Sequence, residues 1–335
     1  MTILVTGGAG YIGGHMLLSL ADRGEKVVVI DDMSNGVPWA IPEGVQLHVG
    51  NAGDYQRTLQ VIRDHEVDTV LHFAATLITP DLYQRPLEYY RINSANGRGL
   101  LQAVADGGVK QFIYSATSAV YGNPVENPVS ERALIAPTTP YGKSKLVTEM
   151  MLKDLADVSD LRYVALRYFN VAGADPKARY GQSTTKTTLL VQIAVQAALG
   201  LRPGLQIFGT DYPTPDGTCI RDYLHVTDLI DAHDAALGYL RGGGESTTLN
   251  VGYGHGYSVR DIIDTVKRVI GVDFPVSEGP RRLGDPVEVV AEANLIRDVL
   301  GWEPKLDDIE TIVRHAHEWE LKMEERRALD RAQRG

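Results

Sequence analysis

Thr2-Ile3-Leu4-Val5-Thr6-Gly7-Gly8-Ala9-Gly10-Tyr11-Ile12-Gly13 carries an apolar run into a glycine-rich turn, and the residues from Tyr11 to Leu20 continue it as an apolar helical stretch. The pattern reads as strand, tight turn and helix. Glycines in such a turn let backbone approach a pyrophosphate at a helix N-terminus, where N–H groups and the helix dipole favour negative charge. The strand before and the helix after are the context that turns a glycine heptad into a dinucleotide-binding fingerprint. Next, Val27-Val28-Val29-Ile30 reads as a second strand ending in Asp31-Asp32. A carboxylate there can accept both hydroxyls of an adenosine ribose and would repel a 2′-phosphate, which favours NAD over NADP.

Working outward, apolar strands are expected near 2–6, 26–31, 45–49, 68–73, 110–116 and 161–167, with amphipathic helices between them. Such alternation implies parallel strands joined by right-handed crossovers, an α/β Rossmann-type doubly wound sheet whose ligand crevice lies at the strand C-terminal ends. Gly7, Asp31, Phe73-Ala74-Ala75 and Thr117 all fall at those ends. After Asn170 the rhythm breaks. A Gly/Thr-rich loop from Ala172 to Thr187 and the turn-rich segment from Gly209 to Gly217 read as loops of a smaller C-terminal α/β lobe. Strands near 205–208 and 247–250 and helices near 188–200, 227–241, 258–270 and 308–330 complete it. The expected division is 1–170 and 171–335, with segments from about 220–250 returning to the first domain.

Tyr141 and Lys145 stand four residues apart in Tyr-Gly-Lys-Ser-Lys. On a helix that spacing puts both side chains on one face. A cation beside a phenol favours phenolate and brings its pKa down from about 10 towards the working pH, as a general base requires. With the glycine segment, the pair predicts a redox enzyme.

Composition narrows the classes. The chain has 335 residues, with 33 basic against 43 acidic side chains and a net charge of −10, and no run of Lys or Arg builds a nucleic-acid stripe. A single cysteine, Cys219, excludes an internal disulfide framework and suits a reducing cytoplasm. The nine histidines form no convincing ligand spacing, so no metal is expected. The N-terminus enters a core strand without a basic leader, and no stretch approaches 18 apolar residues. The expectation is a cytoplasmic protein with no membrane or nucleic-acid partner.

Further motifs follow in order: His72-Phe-Ala-Ala, Ser115-Ala-Thr-Ser-Ala-Val-Tyr-Gly122, Pro140-Tyr-Gly-Lys-Ser-Lys145, Leu166-Arg-Tyr-Phe-Asn170, Asp216-Gly-Thr-Cys-Ile-Arg-Asp222 and Arg281-Arg-Leu-Gly-Asp285. With these, the chain resembles the extended short-chain dehydrogenase/reductase superfamily and, from about residue 2 to 320, is similar to its UDP-glucose 4-epimerase family. The resemblance implies an NAD site at Gly7, Gly10, Tyr11, Ile12 and Gly13, at Asp31, Asp32, Met33, Ser34, Asn35 and Gly36, at Asn51 and Ala52, at Phe73, Ala74, Ala75 and Leu77, and at Tyr141, Lys145 and Phe169. Asn51 stands where the family usually has an aspartate, and its amide oxygen can accept from the adenine amine. Leu77 and Ile92 replace a lysine and an asparagine common in the family. For a UDP-sugar, the resemblance implies that Phe208 covers the uracil, Arg221 and Arg282 hold the diphosphate, Asp285 accepts from the ribose and Asn170 touches diphosphate or sugar. Gln206, Leu189 and Leu190 complete this nucleotide set, although Thr188-Leu189-Leu190 departs from the family's usual polar pair before leucine. Val289 is expected to border the sugar pocket.

The implied chemistry is NAD-dependent 4-epimerisation of a UDP-hexose through a 4-keto sugar, with Tyr141 as base and then acid, Thr117 at the 4-oxygen and Lys145 tuning Tyr141. UDP-glucose and UDP-galactose are the expected substrates, and N-acetylhexosamine and pentose nucleotides are left open. Two rivals are weighed. A nucleotide-sugar 4,6-dehydratase would carry Asp-Glu after the threonine, where this chain has Ser118-Ala119. A dinucleotide-sensing protein would have no need of the Tyr/Lys pair. A homodimer through the helices near 86–107 and 140–158 is also implied by the resemblance.

Overall fold

The computed structural model describes residues 1–76, 84–184 and 187–334. Seven parallel strands form one sheet: β1 (Thr2–Thr6), β2 (Val27–Asp31), β3 (Gln46–Val49), β4 (Val67–His72), β5 (Gln111–Ser115), β6 (Arg162–Tyr168) and, after a long excursion, β11 (Thr247–Val251). Their order is β11-β6-β5-β4-β1-β2-β3, so direction of travel reverses between β1 and β4. The doubly wound sheet expected from the alternation is present, and its edges fall within one or two residues of the expected ones. The seventh strand pairs Leu249 with Leu166 and Val251 with Tyr168.

Period-two alternation sorts the apolar side chains between the two faces. Ile3, Val5, Val29, Leu71, Ile113 and Leu166 join one core, while Leu4, Val28, Ile30, Val70, Phe112 and Ala165 join the other. All of these are essentially excluded from solvent, and burying each such side chain contributes roughly 1.5–3 kcal/mol. Helices α1 (Tyr11–Asp22) and α6 (Val226–Arg241) pack together on the first face. The second is covered by α2 (Tyr55–Asp64), α3 (Asn96–Asp106) and α4 (Pro140–Asp157). A single α-turn at Pro86–Tyr89 and a π-helical turn at Tyr90–Ala95 lead into α3.

The remaining elements build the smaller lobe. Helices α5 (Leu190–Ala198), α7 (Val259–Ile270) and α9 (Ile309–Arg334) pack on one another. Strand β8 (Leu205–Phe208) pairs in parallel with β13 (Val276–Gly279). Helix α7 begins on a capping box, in which Ser258 Oγ accepts from Asp261 N and Asp261 returns the bond to Ser258 N, and it ends on Gly271 in the left-handed region. Several short elements were not expected: β7 (Asn170–Ala172), β9 (Ile220–Arg221), β10 (Tyr223–His225), β12 (Tyr257–Ser258), β14 (Glu288–Val289) and helix α8 (Asn294–Leu300). Two or three residues carry no readable period, and long-range pairing alone defines them. β10 pairs in parallel with β7, and β9 lies between β12 and β14, which knits the lobe to the edge of the large sheet. Among the described residues, no helix is long and apolar enough to cross a membrane.

Candidate active site

The glycine turn is built to admit a ligand backbone. Gly7 has φ +73°, and a Cβ there would lie 2.5 Å from Ala74 N. At Gly13 a Cβ would enter the Gly7 carbonyl, so the turn and α1 approach more closely than any side chain allows. Gly10 caps α1 in extended conformation, and no side chain caps that helix. Tyr11 and Ile12 open its first turn, and the Tyr11 hydroxyl donates to Gly173 O at 2.7 Å. Tyr180 reaches back from the lobe to donate to Ala9 O and Gly10 O, at 3.1 and 3.0 Å. Gly14 makes room for that ring. Sequence reasoning missed Tyr180, because a contact spanning about 170 residues leaves no local signal.

Asp31 ends β2 with one oxygen accepting from Ala9 N at 2.9 Å and the other from Met33 N at 2.8 Å. Burial raises its carboxyl above the usual range, and the two N–H bonds oppose this. Met33 is one of the few non-glycine residues at positive φ, here 59°, a strain typical of sites that aim a loop. Asp32 turns the loop by accepting from Ser34 N at 2.9 Å. Asn35 is exposed, and Gly36 packs on Ala9 and Asp31. Asn51 Oδ1 accepts from Gly53 N at 2.8 Å, which leaves the exposed side chain one further lone pair, while Ala52 is buried. Phe73, Ala74 and Ala75 follow β4, with the Phe73 and Ala74 backbone against Gly7; Leu77 lies outside the described residues. These residues form a cradle open at the switch point of the sheet, and glycine backbone, uncapped helix and terminal carboxylate all suit NAD.

Thr117, Tyr141 and Lys145 come together, all buried. Thr117 follows β5 and caps a 3₁₀ turn over Ser118–Tyr121 by accepting from Ala119 N at 3.2 Å. Tyr141 and Lys145 share α4, whose N-cap Thr139 accepts from Gly142 N. Burial raises the Tyr141 phenol, and the hydrogen bond with Thr117 opposes this. The Lys145 ammonium stands over the Tyr114 ring on β5, 4.5 Å from its centre. Burial lowers Lys145 to about 7, with Glu149 opposing. The helical spacing gave a common face, but the long lysine side chain runs towards the sheet. Another residue missed in the sequence is Asn93. It accepts from Thr76 N at 2.9 Å and donates to Ser144 Oγ at 2.9 Å, fastening the end of β4 to the helix of Tyr141.

Thr138, two residues before α4, borders a cavity of about 450 Å³ together with Asn123, Tyr212, Arg282, Asp285 and Val287. Arg282 stacks on Phe208, its guanidinium carbon 3.9 Å from the ring centre. Arg221 donates to Ile220 O at 2.7 Å and Pro286 O at 2.8 Å, so two carbonyl groups orient it. Asp222, the next residue, is fully buried. Its carboxylate accepts from Tyr253 N, Gly254 N and Ala291 N at 2.9–3.2 Å, and burial lifts its pKa to about 6 against those bonds. Asn170 is exposed at the start of β7, with its N–H on Asp222 O, and Phe169 is buried beside it. Leu189 and Leu190 open α5, half-buried, and Gln206 is exposed on β8 against Gly279. Val289 is 5% exposed on β14, whose pairing with β9 sets it opposite Arg221.

Residues 3–252 match the model of the NAD dependent epimerase/dehydratase family. The UDP-glucose 4-epimerase of Azospirillum brasilense is 51% identical over 323 residues, covering 96% of this chain and 93% of that one. Two solved structures superpose closely. UDP-glucose 4-epimerase from Brucella ovis, in complex with NAD, has a TM-score of 0.90 at 38% identity and covers 95% of this chain and 97% of its own. The Bifidobacterium longum UDP-glucose 4-epimerase, in complex with NAD+ and UDP, has a TM-score of 0.91 at 32% identity over 96% and 98%. With a parallel sheet, a glycine cradle and a buried Thr/Tyr/Lys group at its switch point, this chain belongs to the NAD dependent epimerase/dehydratase family.

Proposed function

We infer that the protein interconverts UDP-glucose and UDP-galactose by NAD-dependent epimerisation at carbon 4. The observation that supports this reading most is the buried Tyr141 phenol hydrogen-bonded to Thr117, three residues along the chain from Thr138 on the wall of a cavity bearing Arg282 and Asp285. When bound, NAD supplies the reversible hydride acceptor that a 4-keto sugar requires. Gly7, Gly10, Gly13 and Asp31 would hold it.

Tyr141 takes the proton of the 4-hydroxyl and later returns it to the same oxygen on the inverted ring. Thr117 holds the phenol and the 4-oxygen in one hydrogen-bonded line. Arg221 and Arg282 grip the diphosphate, as planar donor forks do well. Remote binding of UDP leaves the hexose free to turn. Ser118 and Ala119 offer no acid or base beside the ring, and Ala119 N is bonded to Thr117, so water elimination of the dehydratase kind has no catalyst here.

Tyr141→Phe tests the reading: turnover of UDP-galactose should fall at least about a hundredfold with the fold and NAD content unchanged. Undiminished turnover would refute the assignment. Comparing UDP-galactose, UDP-N-acetylgalactosamine and UDP-arabinose sets the sugar range.

A homodimer and a cytoplasmic location complete the proposal. Leu87, on the turn before α3, and Met150, on α4, are 78% and 57% exposed, which supports a paired helical face; sedimentation at micromolar concentration tests it. The lone free cysteine supports a reducing compartment.

A further inference from the structure

Behind the Tyr141/Lys145 pair lies a buried ion pair with no part in the chemistry above. Glu149 sits on α4 one turn beyond Lys145 and two beyond Tyr141, hence on their face. Arg167 on β6 grips it with two donors: Nε donates to Oε2 at 3.2 Å and Nη2 to Oε1. The third, Nη1, donates to the Tyr121 hydroxyl at 3.0 Å, which in turn donates to Asn250 Oδ1 at 2.7 Å. Both charged side chains are nearly excluded from solvent. A buried ion pair is weak evidence of stability, since desolvation offsets much of the attraction. Its position is more informative. Tyr121 lies four residues after Thr117, Arg167 immediately precedes Tyr168-Phe169-Asn170, and Glu149 shares the helix of the base.

We propose that Glu149 and Arg167 are positioning residues for the acid–base pair: Glu149 sustains the ammonium form of Lys145, and Arg167 limits that effect while fixing α4, β6 and the segment after Thr117 in one frame. The proposal rests on the reading of Tyr141 and Lys145 given above.

The titratable groups around the Tyr141/Lys145 pair support it. From β4 comes His72, held neutral down to about 3 by burial and then by Lys145 itself. Tyr114 on β5 and Tyr168 on β6 are phenols that burial pushes far up. From α4 come Tyr141 and Glu149. At neutral pH the only charge acting on Lys145 from these groups is therefore that of Glu149, and Arg167 is its partner.

The test uses the NAD-loaded enzyme with UDP-galactose and follows kcat and KM across pH. Lys145 serves the chemistry as the cation that favours the Tyr141 phenolate, so activity is lost on the alkaline side as Lys145 deprotonates. Glu149→Gln removes the anion, so this loss moves down by about one pH unit. Arg167→Met leaves the anion unopposed, so it moves up. KM for UDP-galactose stays within about twofold, since neither residue touches the nucleotide. Should Arg167→Met not fold, the double variant Glu149→Gln/Arg167→Met carries no lone buried charge, and its limb falls between those of Glu149→Gln and the parent. Direct titration of Lys145 by ¹⁵N resonance of its Nζ, read without turnover, must move the same way. Shifts in one common direction, no shift, or a loss uniform in pH overturns the proposal. If Tyr141→Phe is active while the Lys145 resonance still shifts, the acid–base reading fails and the charge coupling stands.

Discussion

The Lys145 ammonium rests 4.5 Å from the centre of the Tyr114 ring, and the Tyr114 hydroxyl donates to the Lys145 carbonyl at 3.1 Å. Burial disfavours the charged amine by more than the ring quadrupole and Glu149 favour it, so the folded chain shifts towards a neutral amine. Lysine pKa falls from 10.5 to about 7 on folding. The unfolded chain holds more protons between those values, so stability rises with pH from about 7 to 10.5 and is lost as pH falls through 7. Lys145→Met should flatten this slope, by an amount on the order of a few kcal/mol. Denaturant melts of both proteins without added nucleotide, at pH 7 and pH 10, check it.

Gly7→Ala should lose NAD before it loses the fold. A methyl group would lie 2.5 Å from Ala74 N, and the left-handed backbone at φ +73° adds strain of roughly 1–3 kcal/mol. Bound NAD per chain, measured after gel filtration, should fall well below the parent value.

Arg282→Ala should raise KM for UDP-galactose roughly tenfold to a hundredfold, the worth of one charged hydrogen bond, with little change in NAD content. Release of Phe208 from its stacked partner is the accompanying structural change. Steady-state kinetics with NAD in excess measure the effect, and an unchanged KM would remove Arg282 from the nucleotide site.

Asp222→Ala strips one acceptor from three buried N–H groups, those of Tyr253, Gly254 and Ala291, at roughly 1–3 kcal/mol for each left unsatisfied. For Asp222 the folded pKa of about 6 lies above its ordinary 3.8. Its share of stability is thus greatest below 3.8 and declines as pH rises through 6. Asp222→Asn should remove that pH dependence. Thermal melts at pH 4 and pH 7 separate the two variants.

What could be read from the sequence was local. β1, the glycine turn and α1 announce themselves because period and glycine spacing are written within about twenty residues, and Asp31 follows as the end of the next apolar run. Tyr141 and Lys145 could be placed on one face by helical geometry, but not where the ammonium points, because that depends on Tyr114 from another strand. Asn93, Tyr180, Glu149 and Arg167 act through partners 17 to about 170 residues distant. Val289, placed beside the sugar by the resemblance, lies on a two-residue strand that only its pairing with β9 defines.

The last strand of the large sheet arrives at residues 247–251, after α5, β8 and α6 have been threaded. A nascent chain leaving the ribosome therefore exposes the β6 edge, with Leu166 and Val164 unpaired on it, until some eighty more residues emerge. Release of a fragment ending near Asn170 would leave that edge bare, an invitation to self-association. The two regions are consequently one unit of synthesis, and a chaperone would be needed most during that interval.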